Sequence, residues 1–464
     1  MAPPEEGSPT ADLIDVPPPA AELGQRFEKA GHQLYLVGGA VRDAVLGTIG
    51  DELDFTTDAR PPQIIAILQG WAESRYLIGI EYGTVGARRG GYTFEITTFR
   101  EDVYREESRN PVVTYAKDVE TDLSRRDFTI NAMAVRVPGG EFVDPHRGLL
   151  DLGMKKLRTP LDPDTSFTDD PLRMLRAARF VSTLGLEPDP ELLESIGRLR
   201  DRLEIISPER IRDELTKLLL GEHVDRGLAL VVDTGLAEQF IPELPALKLE
   251  QDPVHRHKDV LHHTFAVVKR TEPKRVLRLA ALMHDIGKPA TREITPEGVQ
   301  FHHHEVVGGR MAEERLRALR YPEKDVQDVK NLVEMHLRFH TYRLGWTDGA
   351  LRRYVRDAGP LLDDLNQLTR ADCTTQNPQK AKTLTALQDE LEERIARLAE
   401  DENLARIRPP LDGTQVMEHL GVPPGPLVGE ALAHLLELRM DRGPISQEEA
   451  LRLLDEWREQ KGLE

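Results

Sequence analysis

The sequence predicts an α+β chain, with a mixed strand-and-helix head over residues 23–157 followed by all-α segments to the end. Three observations carry this. Short apolar runs such as LYLV at Leu34–Val37 alternate with helical runs in the first third of the chain. From Pro171 the pattern changes to long helices, beginning with PLRMLRAARF. The length of 464 residues is too great for one hydrophobic core and divides the chain into several domains.

Composition narrows the classes. Lys and Arg number 61 against 80 Asp and Glu, a formal charge of −19. That argues against wholesale electrostatic capture of nucleic acid, so any RNA site must be a local basic surface. The single cysteine, Cys373, excludes a disulfide framework and a thiolate zinc site and fits a reducing cytoplasm. Neither a membrane-spanning apolar run nor a signal-peptide pattern is present, so a cytoplasmic protein with no membrane partner is expected. Residues 1–20 hold six prolines, and residues 1–22 read as a disordered lead.

A short amphipathic helix is expected over residues 21–30, then a buried strand at Leu34–Val37 that Gly38-Gly39 breaks before a helical run from Ala40 to Leu46. Strand, double glycine and helix form a geometry that cradles phosphate through backbone N–H groups, with Arg42 adding a fork of donors. The next strand carries Glu52-Leu53-Asp54-Phe55. Alternation puts Glu52 and Asp54 on one face and Leu53 and Phe55 in the core. Two adjacent carboxylates beside a phosphate cradle suit Mg²⁺. Pro61–Trp71 reads as a helix and Tyr82–Phe99 as a hairpin around Arg88-Arg89-Gly90-Gly91. Glu95 on that hairpin is either a third acid of the site or a cross-strand charge partner. Residues 100–124 are polar and without periodicity, and read as a long loop, functional or disordered. Arg125-Arg126-Asp127 then precedes an apolar FTINA run that predicts a helix starting there.

The glycine-rich turn, the paired acids about ten residues later and RRDFTINA together resemble the polymerase β-like nucleotidyltransferases. GGAVRD resembles the class II tRNA nucleotidyltransferase branch, which holds CCA-adding enzymes and bacterial poly(A) polymerases. The first acid is Glu52 where that family usually carries Asp. The resemblance implies a polymerase-β-like head over residues 23–157, built on a small mixed sheet with helices. Glu52 and Asp54 would be the catalytic pair holding two Mg²⁺, Gly39 and Arg42 the phosphate cradle, Arg126 a contact to the nucleotide and Asp127 to its ribose. A flexible loop needed for adding the terminal A sits in the family where residues 100–124 lie, and its full length here favours enzymes that add A.

Beyond the head, residues 158–250 predict a helical neck. Asp170 stands as helix cap and Pro171 at the first helical position, which explains that pair structurally. It does not explain Arg173, Arg176 and Arg179, spaced every three residues along one side. An acceptor at Asp170 and a donor at Arg173 match the exocyclic amine and ring nitrogen of cytosine and adenine, and mismatch uracil and guanine. Arg176 and Arg179 can meet a triphosphate. Asp169-Asp170-Pro171-Leu172-Arg173 is similar to the Glu-Asp-x-x-Arg template of class II enzymes, with its first acid shortened. Ser207-Pro208-Glu209 marks a helix start with Ser207 as cap.

Residues 251–383 are rich in histidine. His263, His284-Asp285, His304, His336 and Asp372 resemble, in order, the ligand set of HD-type phosphohydrolases. By that resemblance His263, His284, Asp285 and Asp372 would hold one divalent metal, with His304 and His336 available to a second. His262, His302 and His303 would be bystanders. Residues 384–464 predict a helical tail: a charged helix, then two helices around Gly421-Val422-Pro423-Pro424-Gly425-Pro426, either a plain corner or an RNA phosphate contact. The function expected is addition of C, C and A to tRNA from CTP and ATP. A poly(A) polymerase, an A-adding or CC-adding enzyme, and an HD phosphohydrolase are the alternatives.

Overall fold

The computed structural model describes residues 14–105, 108–249, 259–296, 298–373, 377–402 and 407–462, and the backbone alone over 101–105 and 108–113 and at 343 and 401. Two compact units divide the chain, one ending at Pro245 and the other starting at Ala246. The expected head and neck thus form one unit, and the HD segment and tail the other.

The first unit opens with α1 (Pro18–Lys29), β1 (Leu34–Val37), α2 (Gly39–Val45), β2 (Glu52–Thr57) and α3 (Pro61–Ile67). Next come β3 (Ser74–Tyr76), β4 (Thr84–Arg89), β5 (Tyr92–Thr98), β6 (Arg100–Arg105), β7 (Ser108–Tyr115) and α4 (Val119–Ser124). The head ends with β8 (Ala134–Arg136), β9 (Phe142–Val143), α5 (Gly148–Gly153) and β10 (Lys156–Leu157). Seven strands make one mixed sheet in the order β3-β4-β5-β2-β1-β8-β9. Only β2 and β5 run parallel, side by side at its centre. Leu53, Phe55, Phe94 and Trp71 fill the core beneath it, with Trp71 edge-on to Phe94 at 5.1 Å between centroids.

Four expectations need correction. The lead expected to be disordered through residue 22 is helical from Pro18, because Pro starts a helix well and Ala20 and Leu23 then bury against the head core. Residues 1–13 lie outside the described residues. The helix expected over Pro61–Trp71 ends at Ile67, and a turn carries Trp71 into the core. The polar loop of residues 100–124 is the antiparallel ribbon β6-β7 followed by α4. Ladder hydrogen bonds between two strands need no apolar periodicity, so sequence pattern gave no warning of it. The helix expected at FTINA is a single 3₁₀ turn, Thr129–Asn131.

The neck contains α6 (Pro163–Asp169), α7 (Leu172–Leu184), β11 (Glu187–Pro188), α8 (Pro190–Leu199), α9 (Pro208–Leu219) and α10 (Val224–Asp233). Helices α9 and α10 close on α7 at two glycines. A Cβ at Gly221 would stand 2.1 Å from Ser182 Oγ, and one at Gly227 2.8 Å from Ser182 Cβ. Ser207 occupies the N-cap of α9, but its side chain makes no cap hydrogen bond.

The second unit comprises α11 (Val260–Arg270), α12 (Arg275–Met283), the hairpin β12 (Arg292–Thr295) and β13 (Gly298–Phe301), α13 (His304–Ala318) and α14 (Glu323–Met335). It continues through α15 (Asp348–Ala358), α16 (Leu362–Asp372), α17 (Pro378–Glu402), α18 (Gly413–Leu420), α19 (Pro426–Arg442) and α20 (Gln447–Gln460). No helix of the described residues is long and apolar enough to cross a membrane.

The seating of α1 is testable. Leu23 is fully buried, so Leu23→Ala should lower the unfolding free energy by about 2–5 kcal/mol. Chemical denaturation reads this, and a loss well under 1 kcal/mol would mean that α1 does not pack on the head.

Candidate active site

On β2 the burial alternates as the sequence predicts, with Leu53 and Phe55 inside and Glu52 and Asp54 on the open face. The parallel register sets Asp54 directly beside Glu95 of β5. Glu95, left undecided by sequence, therefore joins Glu52 and Asp54 in one group of three carboxylates. Partial desolvation in this crowded concavity pushes the Asp54 carboxyl up, Arg126 opposes the shift, and Glu52 adds to it. Glu95 is pushed up by desolvation and then by Asp54 and Glu52. Both hold a proton more readily than an ordinary acid, because burial and the neighbouring carboxylates disfavour the charged form.

The glycine turn lies on the β1 side of these acids. Gly38 has φ +70°, and a Cβ there would stand 3.0 Å from Arg126 Nη1 and 3.9 Å from Asp54 Oδ2. The turn is thus a cradle that a side chain would fill. Arg126 is aimed from behind by Asp122, whose carboxylate, fully buried, binds Arg126 Nη2 at 3.0 Å and Arg125 Nη2 at 2.8 Å. Burial raises the Asp122 pKa, but the two guanidinium groups outweigh it and hold the value at about 2. Arg42 donates to Asn131 Oδ1 at 2.7 Å.

The neck adds a second layer of charge. Arg176 donates through two nitrogens to Asp127 Oδ2 and lies 3.3 Å from Glu214 Oε1. Arg179 meets the other Glu214 oxygen at 2.8 Å. Arg42, Arg176 and Arg179 surround the Phe180 ring at 5.3, 5.6 and 4.2 Å. Burial, and next the neighbouring Arg176, lower the Arg179 pKa to about 10, against the opposing pull of Glu214 and Asp127. Asp170, expected as the cap of α7 with Pro171 as its first residue, instead ends α6, and Pro171 is the N-cap of a helix that starts at Leu172. Asp170 still accepts from Leu172 N at 3.2 Å, and its other oxygen lies 3.4 Å from Arg210 Nη2. Arg173 is buried and donates to Ser166 Oγ at 2.9 Å and to the Arg125 carbonyl at 2.5 Å. Its guanidinium therefore joins neck to head, a role the sequence did not suggest.

In the second unit the histidines and aspartates expected as ligands lie at helix ends and converge. His263 Nε2 is 2.9 Å from Asp372 Oδ1 and 3.3 Å from His284 Nε2. Asp285 reaches His284 Nε2 at 3.2 Å with one oxygen and His304 Nε2 at 3.4 Å with the other. His284, His304 and His336 each place Nδ1 on a carbonyl three residues earlier, at 2.7, 2.9 and 2.6 Å. A carbonyl only accepts, so Nδ1 carries the proton and Nε2 turns its lone pair into the cluster. Nε2 of His304 and of His336 is buried with no hydrogen-bond partner. Two ligand groups result, His263-His284-Asp285 and Asp285-His304-His336, sharing Asp285. Lys288, 2.7 Å from Asp285, and His340, 3.6 Å from Asp372, are additions that sequence reasoning missed. Their signals were the Lys of HDIGK and the four-residue spacing of MHLRFH. Bystander positions behave as expected: the side chains of His262 and His303 are largely exposed, and His302 bonds Gln300.

Comparison with known proteins resolves the family. The poly A polymerase head domain matches residues 34–158, the probable RNA and SrmB-binding site of polymerase A matches 185–247, and the HD domain matches 258–401. The A-adding tRNA nucleotidyltransferase of Deinococcus radiodurans is 32% identical over 440 residues, covering 92% of this chain and 95% of that protein. The chain belongs to the tRNA nucleotidyltransferase family. To the CCA-adding enzyme of Anoxybacillus flavithermus this nucleotidyltransferase is 39% identical over 232 residues, spanning 50% of its own length and 57% of that relative's. Among solved structures, the Bacillus stearothermophilus CCA-adding enzyme in complex with CTP superposes with a TM-score of 0.70 at 27% identity, over 96% of this chain and 99% of that one.

The acid group of this nucleotidyltransferase gives a prediction with a definite sign. Asp54 and Glu95 have raised pKa values in the fold, so their ionisation loses stability as pH rises through those values, and a cation binding the ionised form restores it. In EDTA at neutral pH, Asp54→Asn should therefore melt at or above the wild-type temperature, while nucleotide transfer disappears. Mg²⁺ should raise the melting temperature of the wild type and not of the variant. A variant that melts lower, or that gains as much from Mg²⁺, would remove the cation from these acids.

Proposed function

We propose that this nucleotidyltransferase completes tRNA 3′ ends, adding C, C and A from CTP and ATP without a nucleic-acid template. The observation that carries the reading is the open row of Glu52, Asp54 and Glu95 beside a glycine cradle and the cluster of Arg42, Arg176 and Arg179 around Phe180. The tRNA 3′-oxygen attacks the α-phosphorus and pyrophosphate leaves in line. Glu52 and Asp54 would hold two Mg²⁺, with Glu95 beside them. Bound there, the ions lower the pKa of the 3′-hydroxyl and neutralise the triphosphate.

The chain's own residues do the positioning. The Gly38-Gly39 turn, Arg42, Arg126, Arg176 and Arg179 receive the phosphates. Asp127, held by Arg176 and by Asn131 Nδ2 at 2.9 Å, faces the ribose. Asp170 and Arg173 select the base, the first through its carboxylate and the second from its anchored place on the Arg125 carbonyl. A tRNA substrate fits the reducing cytoplasm that the single cysteine also suits.

A second reading, addition of A alone, is favoured by the relative that aligns over nearly the whole chain, which is named for that activity. Extending tRNAs that end before the first C, after C and after CC, with CTP and ATP singly and together, decides between them. Products that run to CCA from every start are expected. Growth only on CC-ended tRNA would replace the reading with A addition, and long A tracts with polyadenylation.

The HD unit fits a divalent-metal site of its own. His263, His284, Asp285 and Asp372 would hold one ion, and Asp285, His304 and His336 a second. Such a site supplies an activated water for phosphoester hydrolysis, and mixed imidazole and carboxylate ligands suit a transition metal. Elemental analysis of the purified protein should find divalent metal that His284→Ala removes while tRNA extension persists. Equal metal content in both would exclude these ligands.

A further inference from the structure

The sheet register extends the acid row beyond Glu95. Asp54 of β2 stands opposite Glu95 of β5, Glu95 opposite Gly86 of β4, and Gly86 opposite Tyr76 of β3. Directly opposed residues project from the same face, so Tyr76, Gly86, Glu95 and Asp54 form one line across four strands. Gly86 leaves a gap in that line and Tyr76 fills it. A Cβ at Gly86 would fall 1.9 Å from Tyr76 Cε2 and 2.1 Å from Cζ, so the ring lies flat across β4 toward Glu95. Desolvation, and next the Glu95 charge, push the phenol pKa up, with smaller contributions from Glu52 and Asp54. The hydroxyl thus sits in the field of all three acids. Beyond Tyr76 the chain exposes Leu77, Ile78 and Ile80, at 49, 86 and 37% of their surfaces.

In-line displacement fixes what approaches from this side. The phosphate cradle of Gly38, Arg42 and Arg126 lies on the β1 side of Asp54. Attacking oxygen and leaving pyrophosphate must lie on opposite sides of the α-phosphorus. The 3′-hydroxyl of the acceptor therefore comes from the β5-β4-β3 side, over the Tyr76 ring. An aromatic face followed by uncovered apolar side chains suits a nucleoside, since every base has a face to stack regardless of its identity.

We infer that Tyr76, laid over Gly86, is the platform on which the 3′-terminal nucleotide of the acceptor tRNA rests, with Leu77, Ile78 and Ile80 as its apolar margin. The inference rests on the nucleotide-addition reading and assigns its acceptor side. A sequence-tolerant stack is what the reaction requires there, because the terminal nucleotide changes at each addition while Tyr76 stays fixed.

The probe is a tRNA with 2-aminopurine at its 3′ terminus, bound without nucleotide, alongside steady-state extension of ordinary tRNA. Wild type and Tyr76→Phe should quench the probe; Tyr76→Ala should not, and should raise KM for tRNA about 5- to 150-fold while KM for ATP stays within about twofold. Gly86→Val, which pushes the ring aside without altering it, should reproduce Tyr76→Ala. Quenching and a tRNA KM that survive Tyr76→Ala overturn the platform, as does an equal rise in KM for ATP. If Tyr76-dependent quenching appears but the wild type extends no tRNA, the addition reading fails and the platform stands.

Discussion

The junction of head and neck in the first unit depends on Arg176, held between Asp127 of the head and Glu214 of the neck. Burying ion pairs rarely repays the loss of hydration, so stability does not account for this network. Its effect is geometric and electrostatic. Three guanidinium groups, those of Arg42, Arg176 and Arg179, are clamped around Phe180. Asp43, Asp127 and Glu214 pair with them, Asp43 accepting from Arg42 at 2.8 and 3.0 Å. The guanidinium groups are oriented before any ligand arrives, and a polyanion entering the site need not reorganise them.

Much of this was legible because the decisive residues are close in sequence. The glycine turn and the paired acids lie within twenty residues, and alternation alone put Glu52 and Asp54 on one face. What stayed hidden depends on register and on partner choice. Glu95 stayed undecided and Tyr76 unseen because they reach the acid row only through β5 lying beside β2 and β3 beside β4, an order that no local pattern encodes. Arg173 reads as a donor for a base, yet its nearest acceptor is a main-chain carbonyl 48 residues away. The β6-β7 ribbon escaped because its ladder is satisfied by backbone groups, for which side-chain periodicity carries no information.

The two candidate metal sites divide their chemistry by ligand type. Oxygen-only acids on a sheet suit a hard cation that keeps water and phosphate in its shell. The imidazole-rich cluster at the helix ends suits a transition metal held by a larger set of protein ligands. Its members span 109 residues between His263 and Asp372, and His284, His304 and His336 are each oriented by the main-chain carbonyl three residues earlier. That local orientation explains how distant positions converge. The neighbouring backbone fixes these three Nε2 atoms, and the packing of the helices needs only to bring their ends together.

The net charge of −19 and an anionic substrate are compatible for a reason that the site makes concrete. At physiological ionic strength, charges on exposed surfaces are screened beyond about 8 Å. The triphosphate end of a nucleotide would meet Arg42, Arg126, Arg176 and Arg179, not the average of the molecule. Overall charge governs the distant field and solubility, whereas recognition is decided within a few ångströms. An acidic protein can therefore bind RNA at a small basic surface, but it forgoes long-range attraction. Contacts that need no charge gain weight in consequence, and an aromatic ring beside the acid row is one that carboxylates do not repel.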